Sequence, residues 1–124
     1  MIIDPWLEAL QAEALQRINI VFEEQFVLSD NRKFIFDFYI KEYNLLLEVN
    51  GDFWHANPNQ YKLSDIINFP GGVKLVEELW EKDKHKIQVA KNQGFKILTI
   101  WETEINANKN NVDEFIQLKI KEIL

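Results

Sequence analysis

Several side chains in this sequence carry proton-transfer or metal-binding chemistry at positions where their neighbours demand a core. Residues 33–40 are rich in aromatic and β-branched types and read as a strand, with Phe34, Phe36 and Phe38 on one face and Ile35, Asp37 and Tyr39 on the other. Both faces are mostly apolar, which puts the strand, and Asp37 with it, inside a sheet. A carboxylate buried there is costly unless it is paired or binds a metal. Two partners are open to it: a lysine or arginine, or a divalent cation. In residues 45–50, Leu46, Glu48 and Asn50 share a face, opposite Leu45, Leu47 and Val49. Acids on adjacent hairpin strands can converge at one end of the sheet. That suits Mg²⁺, which takes one or two carboxylates and fills its octahedron with water and phosphate. The plain alternative for Glu48 is a strand end that reaches solvent.

Asp83 falls inside the apolar stripe of the longest helix, between Trp80 and Ile87. Either it needs a partner or it marks the edge of the stripe, where Lys82, Lys84 and Lys86 surround it. His55 follows Phe53-Trp54 just beyond the Glu48 strand. A neutral imidazole accepts a proton from water near neutral pH, and a carboxylate partner fixes its tautomer. Asp83 is a candidate for that partner. The first helix adds Glu8 or Glu13; both flank its apolar stripe, and periodicity does not choose between them.

The elements that must position these groups follow from pattern. Asp4-Pro5 is a helix start, and Leu7, Leu10, Ala14 and Ile18 predict a helix over 5–18. A strand over 20–27 and a turn at Ser29-Asp30-Asn31 precede the 33–40 strand. After a short connection, 45–50 forms its hairpin partner. Residues 51–72 show no period and carry Pro58, Pro70 and Gly71-Gly72, so they are expected to form a long functional loop. A helix over 73–93 is expected to bury Val76, Trp80, Ile87 and Ala90 and to stop at Gly94. A strand over 95–101, a polar turn over 106–111 and a last helix striped by Val112, Phe115, Ile116, Ile120 and Ile123 complete the chain. The order α-β-β-β-α-β-α predicts an α/β fold, a three-layer α/β/α domain around a mixed central sheet, with residues 1–124 as a single domain.

Composition excludes other classes. With 47% hydrophobic and 13% aromatic residues among 124, the chain carries too much ring surface to stay disordered. It has no cysteine, which removes disulfides, thiolate zinc sites and cysteine nucleophiles. No apolar run is long enough for a membrane span, and the N-terminus lacks the pattern of a signal peptide, so a cytoplasmic protein is expected. The net charge of −6 argues against a polyanionic partner. A cation held by clustered acids would soften that argument, because the ion's own charge is not in the count.

Three stretches together resemble a known family. They are Phe36-Asp37-Phe38; Glu48-Val49-Asn50-Gly51-Asp52-Phe53-Trp54-His55; and Trp80-Glu81-Lys82-Asp83 leading to Gly94-Phe95-Lys96-Ile97-Leu98-Thr99-Ile100-Trp101-Glu102. They are similar to the very-short-patch repair (Vsr-like) endonucleases and to the related phage homing endonucleases named for an E-D-x-H-D motif. Both belong to the PD-(D/E)XK nuclease superfamily. The resemblance runs from the first helix to about Trp101 and implies a restriction-endonuclease-like fold. It also implies a metal-dependent endonuclease of double-stranded DNA using Mg²⁺, with Mn²⁺ as a substitute, in a bacterial or phage-infected cell.

By the same resemblance Asp37 and Glu48, with the backbone of Val49, match the metal site. His55 matches the catalytic histidine and Asp83 its support, and Glu8 matches the helix 1 glutamate better than Glu13. Asn50 stands where the superfamily motif has lysine, so proton transfer would fall to His55. Phe53 and Trp54 match a wedge that enters the base stack, with packing in the core as the alternative. Lys82, Lys84, Lys86, Lys91 and Lys96 give the long helix and its exit a basic bias, with Lys82 and Lys86 as candidate DNA contacts. The repair enzymes carry a Cys/His zinc site that this chain lacks, which favours the phage-type relatives. A separate DNA-binding domain or partner and a homodimer are both compatible with this reading. The rival is a module of the same fold that has lost its chemistry and serves for interaction or DNA docking.

Overall fold

In a computed structural model that describes residues 5–124, the chain runs α1 (Pro5–Arg17), β1 (Glu23–Asp30), β2 (Arg32–Ile40), β3 (Leu45–Asn50), β4 (Ile66–Phe69), β5 (Gly72–Leu75), α2 (Val76–Asn92), β6 (Lys96–Trp101), α3 (Glu102–Ala107) and α4 (Val112–Ile123). The expected cap at Asp4 lies outside the described residues. Four strands form one sheet in the order β1-β2-β3-β6. β1, β2 and β3 are an antiparallel meander, and β6 returns parallel to β3 after the crossover through α2. The architecture is a mixed α/β domain whose mixed central sheet is flanked by helices, as the residue pattern predicts. Among the described residues no helix is long and apolar enough to cross a membrane.

β3 is central and buried along its whole length because both faces are covered. Leu45, Leu47 and Val49 pack under α1 and α4 with Leu7, Leu15, Ile116 and Ile120, while Leu46 packs toward Val89 and Ala90 of α2. Gly94, at φ 92, reverses the chain after α2, as its position predicts. Asn44 then fixes the entry to β6: its side-chain amide donates to the Gly94 carbonyl at 2.9 Å, and its own carbonyl accepts from Lys96 N–H at 3.0 Å.

Several boundaries differ from the pattern reading. Strand β1 starts at Glu23 rather than residue 20, because Ile20 N–H closes α1 on the Leu15 carbonyl and Asn19 turns the chain at φ 60. Its far end runs on to Asp30, leaving Asn31 alone at φ 61 between β1 and β2. Part of the expected loop over 51–72 is ordered as β4, which pairs with β5 around Pro70-Gly71. Val73, Lys74 and Leu75 therefore belong to this ribbon, and α2 begins at Val76. Isoleucine and valine on both sides of a Pro-Gly turn are hairpin chemistry, and that local signal outweighs the helical spacing. Part of the expected polar turn is helical as α3.

Candidate active site

The alternation read for β2 breaks at Asp37. Ladder pairing with β3 covers Phe38↔Leu47, Tyr39↔Leu46 and Ile40↔Leu45 and goes no further. On the other side, Glu24 pairs with Phe38 and Phe26 with Phe36, while Gln25 turns at φ 53 opposite Asp37. This local break reverses the faces. Phe38 and Ile40 enter the α1/α4 core, whereas Phe34 and Phe36 join the α2 side with Leu46 and Tyr39. The expectation that Phe34, Phe36 and Phe38 share a face is thereby corrected.

Where the backbone ladder stops, two carboxylates continue it. Glu48 Oε1 accepts from Asp37 N–H at 2.8 Å, and Asp37 Oδ2 accepts from Val49 N–H at 2.7 Å. Both acids are buried. Burial, and then the neighbouring charge of Glu48, push the Asp37 carboxyl up to about 7; the Val49 N–H bond opposes this. The other Glu48 oxygen, Oε2, lies 2.7 Å from Lys86 Nζ. That ammonium sits 4.5 Å from the centre of the Phe36 ring and is itself buried.

Lys86 was expected as a surface contact for DNA. Instead α2 turns it inward onto Glu48. A buried ammonium thus stands beside Glu48, supplied from a helix rather than from position 50 of β3. The signal was present in the sequence: Lys86 is three residues after Asp83, on the same side of α2. Asn50 is buried at the end of β3 opposite Trp101 of β6.

His55 is positioned by a coil that begins as β3 ends. Its N–H bonds the Gly51 carbonyl at 3.2 Å, and Asn57 N–H bonds the Asp52 carbonyl at 2.9 Å. Asp52 is held in turn by Asn57 Nδ2 at 2.8 Å and by the Thr103 hydroxyl, and its N–H donates to Glu102. Trp80 Nε1 donates to the Ala56 carbonyl at 2.7 Å and ties this coil to α2. One turn further along α2, Asp83 Oδ2 meets His55 Nδ1 at 3.0 Å. With the acid on Nδ1–H, Nε2 keeps its lone pair for a proton acceptor's role. The next turn of the same helix carries Lys86, so α2 brings the His55–Asp83 pair and the Glu48–Lys86 pair together.

Of the two acids of the first helix, Glu8 is the one near Asp37. Glu8 accepts from the Gln25 side chain, opposite Asp37, and its charge contributes to raising the Asp37 carboxyl. Glu13 is exposed and lies 4.0 Å from Arg17, which in turn holds Asp113 at 2.8 Å. Phe53 and Trp54 are neither free wedges nor core. They pack with Phe69 of β4, Trp54 stacked on it at 5.4 Å and 14° and Phe53 edge-on at 5.0 Å, and Phe53 remains exposed. In front of His55 and Asp83 lies a cleft of 370 Å³ rimmed by Trp54, Phe69, Lys74 and Lys82. Lys82 is exposed.

Among the described residues no three His, Asp or Glu side chains converge closely enough to enclose a metal. The donor chemistry nonetheless fits Mg²⁺, which takes few protein ligands and retains water. Asp37 Oδ1 accepts no hydrogen bond from the described residues, and the crowded Asp37–Glu48 pair is short of positive charge.

No family model and no curated protein matches the chain. Among solved structures, it is similar to the Homing Endonuclease I-Bth0305I Catalytic Domain, at 25% identity and a TM-score of 0.59 over 94% of this chain and 95% of that one. The fold is thus a nuclease-like α/β domain.

Proposed function

We propose that the protein is an endonuclease that hydrolyses phosphodiester bonds in duplex DNA with the help of Mg²⁺. The observation that carries this reading is the placement of His55–Asp83 one turn of α2 from Asp37, Glu48 and Lys86, in a fold similar to a homing endonuclease catalytic domain. Asp37, Glu48 and the Val49 carbonyl would hold the ion. Bound there, Mg²⁺ would neutralise charge on the scissile phosphate and its transition state.

The chain's own residues supply the rest. His55 Nε2 takes a proton from the attacking water, and Asp83 holds the resulting imidazolium in place. The water oxygen bonds to phosphorus as the opposite P–O bond breaks, and the leaving oxygen takes a proton from a solvent water, leaving a phosphate and a hydroxyl end. Lys86 holds Glu48 aligned beside Asp37. Glu8, anchored by Gln25, would orient a second water. The Vsr-like and phage-homing assignments rest on the sequence resemblance.

Nicking of closed circular plasmid, with and without Mg²⁺, tests the reading. Wild type is expected to relax the plasmid only with the metal, and Asp37→Ala and His55→Ala are expected to be inert. Undiminished cleavage by either variant overturns the assignment. A wild type that neither cuts nor binds Mg²⁺ leaves the docking-module reading in its place.

A further inference from the structure

A second cleft opens on the other side of Asp83. It has a volume of 310 Å³ and lies between the start of β2 and α2, lined by Arg32, Lys33, Phe34 and Ile35 and closed by Lys82. It shares Lys82 and Asp83 with the cleft in front of His55. Arg32, Lys33 and Lys82 are exposed, and among the described residues none of them enters an ion pair. The chain carries net charge −6, so three unpaired cations in one cleft are not what composition alone would produce. Arg32 is also held in place: its guanidinium stands 4.7 Å over the Phe34 ring, and that ring packs edge-on against His85 at 5.7 Å. Ile35 is half-exposed beside it, an apolar surface next to the cations.

We propose that this cleft binds the sugar–phosphate backbone of one DNA strand to one side of the cleaved bond, while the His55 cleft takes the other side. The inference rests on the nuclease reading above and deepens it. Arginine grips phosphate with a planar fork and lysine as a point charge, and Ile35 would lie against a sugar. Contacts of this kind set position and carry no base sequence. A strand running through both clefts passes Asp83 without needing an end there, so the geometry selects internal phosphodiester bonds.

Binding of a labelled duplex to the full chain in EDTA, across a salt series, tests this. Arg32→Ala/Lys33→Ala is expected to weaken binding to unrelated sequences equally, and to flatten log K against log salt by about 0.9 for each phosphate that is no longer neutralised. Arg32→Lys/Lys33→Arg should keep the wild-type slope, and so should Lys121→Ala on α4. Should the alanine pair lower the melting temperature, Arg32→Gln/Lys33→Gln is read in its place. An unchanged affinity and slope in the neutralised variant, with wild type still binding and cutting, overturns the cleft and leaves the nuclease reading intact. A wild type that binds no duplex at any salt overturns both.

Discussion

Under α1, α3 and α4 the sheet is covered by aliphatic and aromatic side chains: Leu45, Leu47, Val49, Phe38 and Ile40 meet Leu7, Leu15, Ile105, Ile116 and Ile120. Under α2 the same sheet offers Leu46 and Phe36, but beside them lie Asp37, Glu48 and Lys86, with His55–Asp83 one turn away. The first side gains from water exclusion, which is non-directional and tolerates many fillings of the right volume. The second holds together only while each charge keeps its partner, because an unpaired buried charge costs far more than a methyl group returns. One side of the sheet is therefore a support and the other is the candidate site, although both are built on β3.

The sharpest way to break this contrast is Asp83→Asn. It keeps the shape of the α2 side but removes the acid that sets the His55 tautomer, and cleavage should fall by about 10²–10⁴-fold while the circular dichroism spectrum stays unchanged. Lys86→Met comes next. It strands Glu48 as a buried charge, and chemical denaturation should show a loss of about 3–5 kcal/mol. Adding Glu48→Gln should recover much of that stability but not the activity. On the supporting side, Leu47→Ala should cost about 2–5 kcal/mol in the same denaturation, with cleavage per folded molecule unaltered.

The pH response sharpens the contrast further. Folded Asp37 holds its proton up to about 7, above its ordinary value of 3.8. Between those limits the folded state binds the extra proton, so Asp37 makes metal-free protein less stable as pH rises through that window, with no further change above it. Asp37→Asn should remove this component: its melting temperature should gain on wild type as pH climbs from about 4 to about 7. Mg²⁺ should raise the melting temperature of wild type at pH 8, and not that of the variant.

The smallest expected effect lies on the supporting side. Gln11 of α1 is fully buried, and neither end of its amide finds a hydrogen bond among the described residues. Gln11→Met should stabilise the fold by about 1 kcal/mol and leave cleavage untouched.

The residue pattern made Asp37, Glu48 and Asp83 stand out as acids beside apolar neighbours and His55 for its place just beyond the Glu48 strand, and the structure gathers them around α2. For Lys86 it offered only the spacing of three from Asp83, because a lysine among Lys82 and Lys84 looks like any solvated helix face until α2 is docked on the sheet. It did not reveal the reversal at Asp37. Strict alternation is a property of regular strands, and the break depends on Gln25, which lies on a neighbouring strand. The β4–β5 ribbon was obscured because its residues lie beside a helix start and two strands of four are too short for a period to show.

By itself the amino-acid order determined the long helices, the strands of the central sheet and the burial of Asp37, because hydrophobic periodicity and breaker residues act over a few neighbours. Only the tertiary structure decided which charge meets which: that Lys86 takes Glu48, that Asp83 takes His55, and that Glu8 rather than Glu13 faces Asp37. Those pairings depend on how far α1 and α2 are rotated against the sheet, and that rotation is set by packing across the whole domain rather than by local sequence.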